Sequence, residues 1–96
     1  MYWEKKGENM DKSSLIHMKR QLNVTDLSGE KVMIDFESGK YFLIKGVGND
    51  IWEMIQNDIT VSDIISKLLE EYDVSEEECE SSVMDFLGKL SEFQII

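Results

Sequence analysis

The sequence predicts an α+β domain in which three antiparallel strands are followed by three helices. Three observations carry this expectation. Two apolar runs flank Ser38-Gly39 between Glu30 and Ile44, a hairpin pattern. Thr60 with Asp63, and Ser75 with Glu78, repeat a capping signature ahead of apolar stripes at helical spacing. The strand pattern comes wholly before the helical one. A chain of 96 residues has room for one domain with one modest core, and its 42% apolar content is that of a globular chain.

Taken in order, residues 1–12 (MYWEKKGENMDK) are charged and lack any period, so a mobile tail is expected ahead of a domain at 13–96. Trp3 reads there as an exposed or loosely docked aromatic. Residues 15–22 hold the one basic patch, His17, Lys19 and Arg20, read as a solvated strand end. The first strand is expected from Leu22 to Asp26. A three-residue loop, Leu27-Ser28-Gly29, then pairs Val24 with Val32 and Leu22 with Ile34. A two-residue tip at Ser38-Gly39 sets Phe36 opposite Tyr41 and Ile34 opposite Leu43. With Val32, those residues form one apolar face. Met33, Asp35, Phe42 and Ile44 form the other face, which is only partly polar. The third strand, Lys40 to Ile44, ends the meander and offers a free edge to a partner.

Gly46-Val47-Gly48 reads as a turn into a short buried helix at Ile51 to Ile55. No Lys-Ser/Thr pair follows Gly48, so a phosphate loop is the poorer reading. The second helix runs from Thr60 to about Tyr72 on Val61, Ile64, Ile65, Leu68 and Leu69. Asp73-Val74 forms a joint. The third helix starts at Ser75 with acids at 76, 77 and 78, where the helix dipole favours them. Its stripe of Cys79, Val83, Phe86, Leu87 and Leu90 is expected to face the sheet, with Met84 off the stripe. Gln94-Ile95-Ile96 packs as an apolar tail near that helix.

The formal net charge of -10 makes nucleic acid and anionic membrane poor partners and basic peptides better ones. His17 has no Cys, second His or paired carboxylate at ligand spacing, so no metal is expected. Cys79 belongs to an apolar stripe and reads as a small buried hydrophobe. No nucleophile stands with a base, so neither a catalytic residue nor a cofactor is assigned, and the chain is not read as an enzyme. No apolar run approaches the roughly 18 residues of a membrane span, and no secretory leader is evident. A cytoplasmic monomer is expected.

Gly29-Glu30-Lys31-Val32, Glu37 to Phe42, Gly48, Ile51-Trp52, Tyr72-Asp73-Val74 and Phe86-Leu87 together resemble the PqqD-like peptide-recognition family, the RiPP recognition elements. The resemblance covers residues 22–96 and is strongest to the stand-alone leader-recognition proteins of lasso-peptide biosynthesis. It implies a winged-helix-like domain with its sheet at the front. Such a domain binds the leader of a ribosomally made precursor and presents it to a processing enzyme, a leader peptidase with or without a cyclase. In the family the leader adds as an antiparallel strand on the third strand, in a groove against the third helix. Carried onto this chain, Lys40, Tyr41, Phe42, Leu43 and Ile44 pair with the leader. Tyr41 and Leu43 fall at the groove floor, Val83, Met84 and Leu87 on its helical wall, and Glu80 and Asp85 near basic leader residues. The chain departs from the family pattern at Ile44-Lys45, where a Leu-Asn pair is common, and at Gln94, where glycine is common. The alternatives are a generic interaction adaptor and a winged-helix DNA binder. The run Ser75-Glu76-Glu77-Glu78 opposes the latter, because phosphate would repel it.

Overall fold

Thr60 and Ser75 do what their spacing predicts. The Thr60 hydroxyl accepts the Asp63 N–H at 3.2 Å and the Ser75 hydroxyl accepts the Glu78 N–H at 3.1 Å. These caps satisfy otherwise orphaned donors and start two helices, α2 (Val61–Glu71) and α3 (Glu76–Glu92). In the computed structural model, which describes residues 10–20 and 23–96, they follow a meander of β2 (Asn23–Leu27), β3 (Glu30–Asp35) and β4 (Lys40–Ile44). A shorter helix, α1 (Val47–Met54), links sheet to α2, so the fold is α+β as expected. It begins at Val47 rather than Ile51, because Gly46 takes φ 59° and turns the chain straight into the helix.

The two turns of the meander differ from expectation. Ser28 (φ 46°) and Gly29 (φ 94°) both lie in the left-handed region and form a two-residue loop, the geometry that suits strand twist. Leu27 therefore pairs with Glu30, Val24 with Met33 and Thr25 with Val32. This one-residue slip moves Val24 to the opposite face from the expected one. Leu22 and its expected pairing with Ile34 lie outside the described residues. The second loop has four residues, Phe36 to Gly39, and closes on Asp35–Lys40, so Ile34 faces Tyr41 and Val32 faces Leu43. Asp35 is the reason. Its carboxylate accepts from the Glu37 N–H at 3.1 Å and the Ser38 hydroxyl at 3.0 Å, and its carbonyl accepts from the Gly39 N–H at 2.8 Å. A side chain bonding its own backbone two residues on favours the wider turn.

The helices cover the face of Met33, Asp35, Phe42 and Ile44. Met33 is 0% exposed and Ile44 1%, whereas Tyr41 on the other face is 72% exposed. The more apolar face, Val32, Ile34, Tyr41 and Leu43, thus looks outward. The core beneath the sheet is built from Ile51 and Trp52 of α1 with Ile55 just past its end, Ile64 and Leu68 of α2, and Val83, Leu87 and Leu90 of α3.

A second sheet was not foreseen. Two-residue strands β1 (Leu15–Ile16) and β5 (Ile59–Thr60) pair antiparallel, Leu15 with Thr60 and Ile16 with Ile59. The preceding segment also docks: Met10 packs against the core, the Lys12 carbonyl accepts the Ser62 N–H at 2.8 Å, and the Lys12 ammonium lies 3.1 Å from Glu80 and 3.5 Å from Glu76. Residues 1–9, with Trp3, lie outside the described residues.

Candidate functional site

Strand order β2-β3-β4 leaves one side of β4 without a strand partner among the described residues. Every second backbone N–H and C=O on that side is available to a further chain. Which side chains border this edge follows from the faces just described. Phe42 turns toward the helices, half-buried, with its ring edge-on to Phe86 at 5.9 Å and to Phe93 at 5.4 Å. Tyr41 and Leu43 turn away from α3. They cannot floor a groove against that helix, and Phe42 is the residue that faces it, because successive strand residues alternate. Ile44 is buried and offers only its backbone.

On α3 the expected wall residues separate. Val83 and Leu87 are 0% exposed and belong to the core, not to a lining. Glu80 is held by Lys12, and Met84 packs on the core about 200° around the helix from Phe86, given 100° per residue. Glu80 and Met84 therefore lie on the flank near the N-terminal segment, away from β4. Asp85 is exposed beside Phe86 and three residues from Ser82, so it borders the β4 side. Phe86 and Phe93 make the flank that meets β4, both through the Phe42 ring. Phe86 was readable as part of the apolar stripe. Its place against β4 became readable only from its packing on Phe42 and Gly48.

Two concavities lie in this part of the molecule. Near Lys40 a polar cleft of about 280 Å³ is lined by Arg20, Asp35, Glu37, Ser38 and Glu92 among others. Arg20 donates from Nη2 to Asp35 Oδ2 at 3.0 Å and to the Phe93 carbonyl at 2.7 Å, tying the N-terminal segment to the hairpin turn and the end of α3. That guanidinium, with Ser38 and Glu37 N–H, holds the Asp35 carboxyl below its ordinary range against the opposing effect of burial. Arg20, assigned to a solvated strand end by sequence, is thus a clamp. The other concavity, of about 250 Å³, is mostly apolar and lies among the helices, with Val47, Leu68, Tyr72, Val74, Glu78, Cys79 and Ser82 around it. Burial, and after it the Glu76 charge, pushes the Cys79 thiol up, so it stays protonated at neutral pH and is a poor nucleophile. Among the described residues no three His, Cys, Asp or Glu side chains are grouped to hold a metal ion, and no helix is long and apolar enough to cross a membrane.

The family model of Coenzyme PQQ synthesis protein D (PqqD) matches residues 30–96. Among solved structures, TbiB1 in complex with the TbiA(beta) leader peptide superposes with a TM-score of 0.71, covering 83% of this chain and 93% of that one. At 22% identity the likeness is one of fold. No curated protein matches the chain. Because the matched span runs from β3 through the whole of α3 and so contains the free edge and its helical wall, the chain belongs to the PqqD family, the RiPP recognition elements.

Proposed function

We propose that the chain binds the leader segment of a ribosomally synthesised precursor, of the lasso type, as a fourth strand on β4 and presents it to a processing enzyme such as a leader peptidase. The observation that carries this reading is the unpaired β4 edge, bordered by the half-buried Phe42 with its ring packed on Phe86 and Phe93. TbiB1, with the same fold, has been solved with a leader peptide, which supports it. Backbone pairing supplies affinity with little regard to sequence, and side chains alternating along the added strand supply selectivity. Those turned inward enter the groove. Those turned outward lie beside Tyr41 and Leu43. Asp85 on the β4 side attracts basic leader residues and acts mainly on association rate. In this reading the domain is residues 13–96, does no chemistry itself and works as a cytoplasmic monomer.

Titration with the precursor encoded by a neighbouring gene tests the reading. Binding is expected at micromolar Kd or tighter, about -8 kcal/mol. Proline at 42 and, separately, at 43 locates the site, since consecutive residues point their N–H groups to opposite sides. One variant loses a donor of the β3–β4 ladder and the other a donor of the free edge. Unchanged leader binding in both, with native circular dichroism, rules out strand addition here.

A further inference from the structure

Residues paired across an antiparallel ladder share a face, so Thr25, Val32 and Leu43 form one outward row and Ile34 and Tyr41 the next, with Leu27 two positions beyond Thr25. All but Val32 are exposed. Phe36, in the turn two residues past Ile34, adds a ring that is 73% exposed. Among the described strand residues Glu30 is the one charge on this face, because Asp26, Lys31, Asp35 and Lys40 pair into the rows of the helix side. Leu27, Ile34, Phe36, Tyr41 and Leu43 together leave on the order of 600 Å² of side-chain surface in water, the upper end of what a monomer ordinarily shows as one patch.

We propose that this outer face docks the processing enzyme, by way of an apolar surface with a basic rim, and that the bound leader completes the docking surface; the assignment rests on the leader-binding reading above. Area points to the leader's share. A stable interface takes about 800 Å² from each partner, so the face alone falls short. A fourth strand on β4 lies in the same sheet, and its outward side chains continue the rows of Tyr41 and Leu43. The enzyme meets the full apolar surface only with the leader in place. Charge decides against a second copy of this chain. Each copy carries -10, and Glu30 in β3 and Glu37 in the turn border the patch, so two copies brought together through it repel. The same charges attract a basic rim on the enzyme.

The leader peptidase encoded by a neighbouring gene, purified and titrated with the full chain, is the probe, with and without saturating precursor. Precursor is expected to tighten enzyme binding about tenfold, because it joins a second contact to the first. Phe36→Lys and Ile34→Lys each set a cation in the patch and weaken enzyme binding about tenfold, with precursor affinity and circular dichroism unchanged. Phe36→Lys, in an exposed turn, carries the test alone if Ile34→Lys alters the fold. Ser66→Lys makes the same charge change on the exposed side of α2 and leaves enzyme binding unchanged. Enzyme affinity indifferent to Phe36→Lys overturns the proposal, as does a chain that binds precursor yet binds no enzyme, or whose bound precursor leaves enzyme affinity unmoved. A dimer in sedimentation that Phe36→Lys dissociates makes a second copy the occupant and overturns it. Shifts of the Ile34 and Leu43 methyl resonances on deletion of residues 1–9 make this chain's own N-terminus the occupant and overturn it too. If precursor fails to bind while the enzyme binds and Phe36→Lys weakens it, the leader-binding reading falls with the leader's share of the surface and the docking face stands, so the two failures are told apart.

Discussion

Phe42→Ala is the substitution that most directly tests which face of the sheet meets the helices. A fully buried Phe→Ala costs about 3–5 kcal/mol, and the half-buried Phe42 forfeits roughly half of that. The lost edge-on contacts to Phe86 and Phe93 add about 0.5–1.5 kcal/mol between them. A loss near 3 kcal/mol results. Tyr41, its neighbour on the same strand, is mostly exposed and gives up little beyond a cross-strand contact with Ile34, so Tyr41→Ala costs about 0.5 kcal/mol. In urea unfolding followed by circular dichroism, with a slope of about 1.5 kcal/mol/M, the midpoint falls by about 2 M for Phe42→Ala and by a few tenths for Tyr41→Ala. Equal losses, or a larger one at Tyr41, refute the assignment of faces and with it the groove beside β4.

The Asp35 carboxyl, held low chiefly by the Arg20 hydrogen bond, binds fewer protons folded than unfolded. Its stabilising contribution is therefore complete above the unfolded value near 4 and is lost as pH falls through the depressed folded one. Arg20→Gln raises the Asp35 midpoint in a carboxyl-carbon NMR titration; an unmoved midpoint means that the clamp does not set it. Thr60→Ala and Ser75→Ala each cost about 1 kcal/mol in thermal unfolding and add when combined, because they cap separate helices. At Gly48 a Cβ would stand 3.1 Å from Phe86 Cε1 and 3.4 Å from Ile44 Cγ2, so Gly48→Ala displaces the Phe86 ring. The strain, partly offset by better helix propensity, costs about 1 kcal/mol, and leader affinity falls with it in the same titration.

What the sequence by itself determined is what depends on near neighbours along the chain. Thr60 with Asp63 and Ser75 with Glu78 are three residues apart, and their bonds form within one turn whatever surrounds them. The stripes Val61, Ile64, Ile65, Leu68 and Cys79, Val83, Leu87, Leu90 are buried as their spacing predicts, since helical periodicity leaves one face apolar. The free edge followed from strand order alone. The tertiary structure decided the rest. Both faces of the β3–β4 hairpin are apolar enough to be covered, and alternation cannot say which one is. The decision fell to Asp35, which meets Arg20 from 15 residues upstream and allows its partly polar face to be buried. Loop lengths were local but still illegible, because left-handed backbone at Ser28 and the bonds of the Asp35 side chain within its own turn shift register without leaving a mark in the hydrophobic pattern. Pairing of β1 with β5 joins Leu15 to Thr60, a contact between two-residue strands too short to show a period. The groove wall was divided the same way. Helical spacing places Val83, Met84, Phe86 and Leu87 on adjoining faces, but only packing against Phe42 assigns Phe86 to the β4 edge, and only Lys12 draws Glu80 to the far flank. Those contacts lie tens of residues apart, where sequence spacing carries no geometric information.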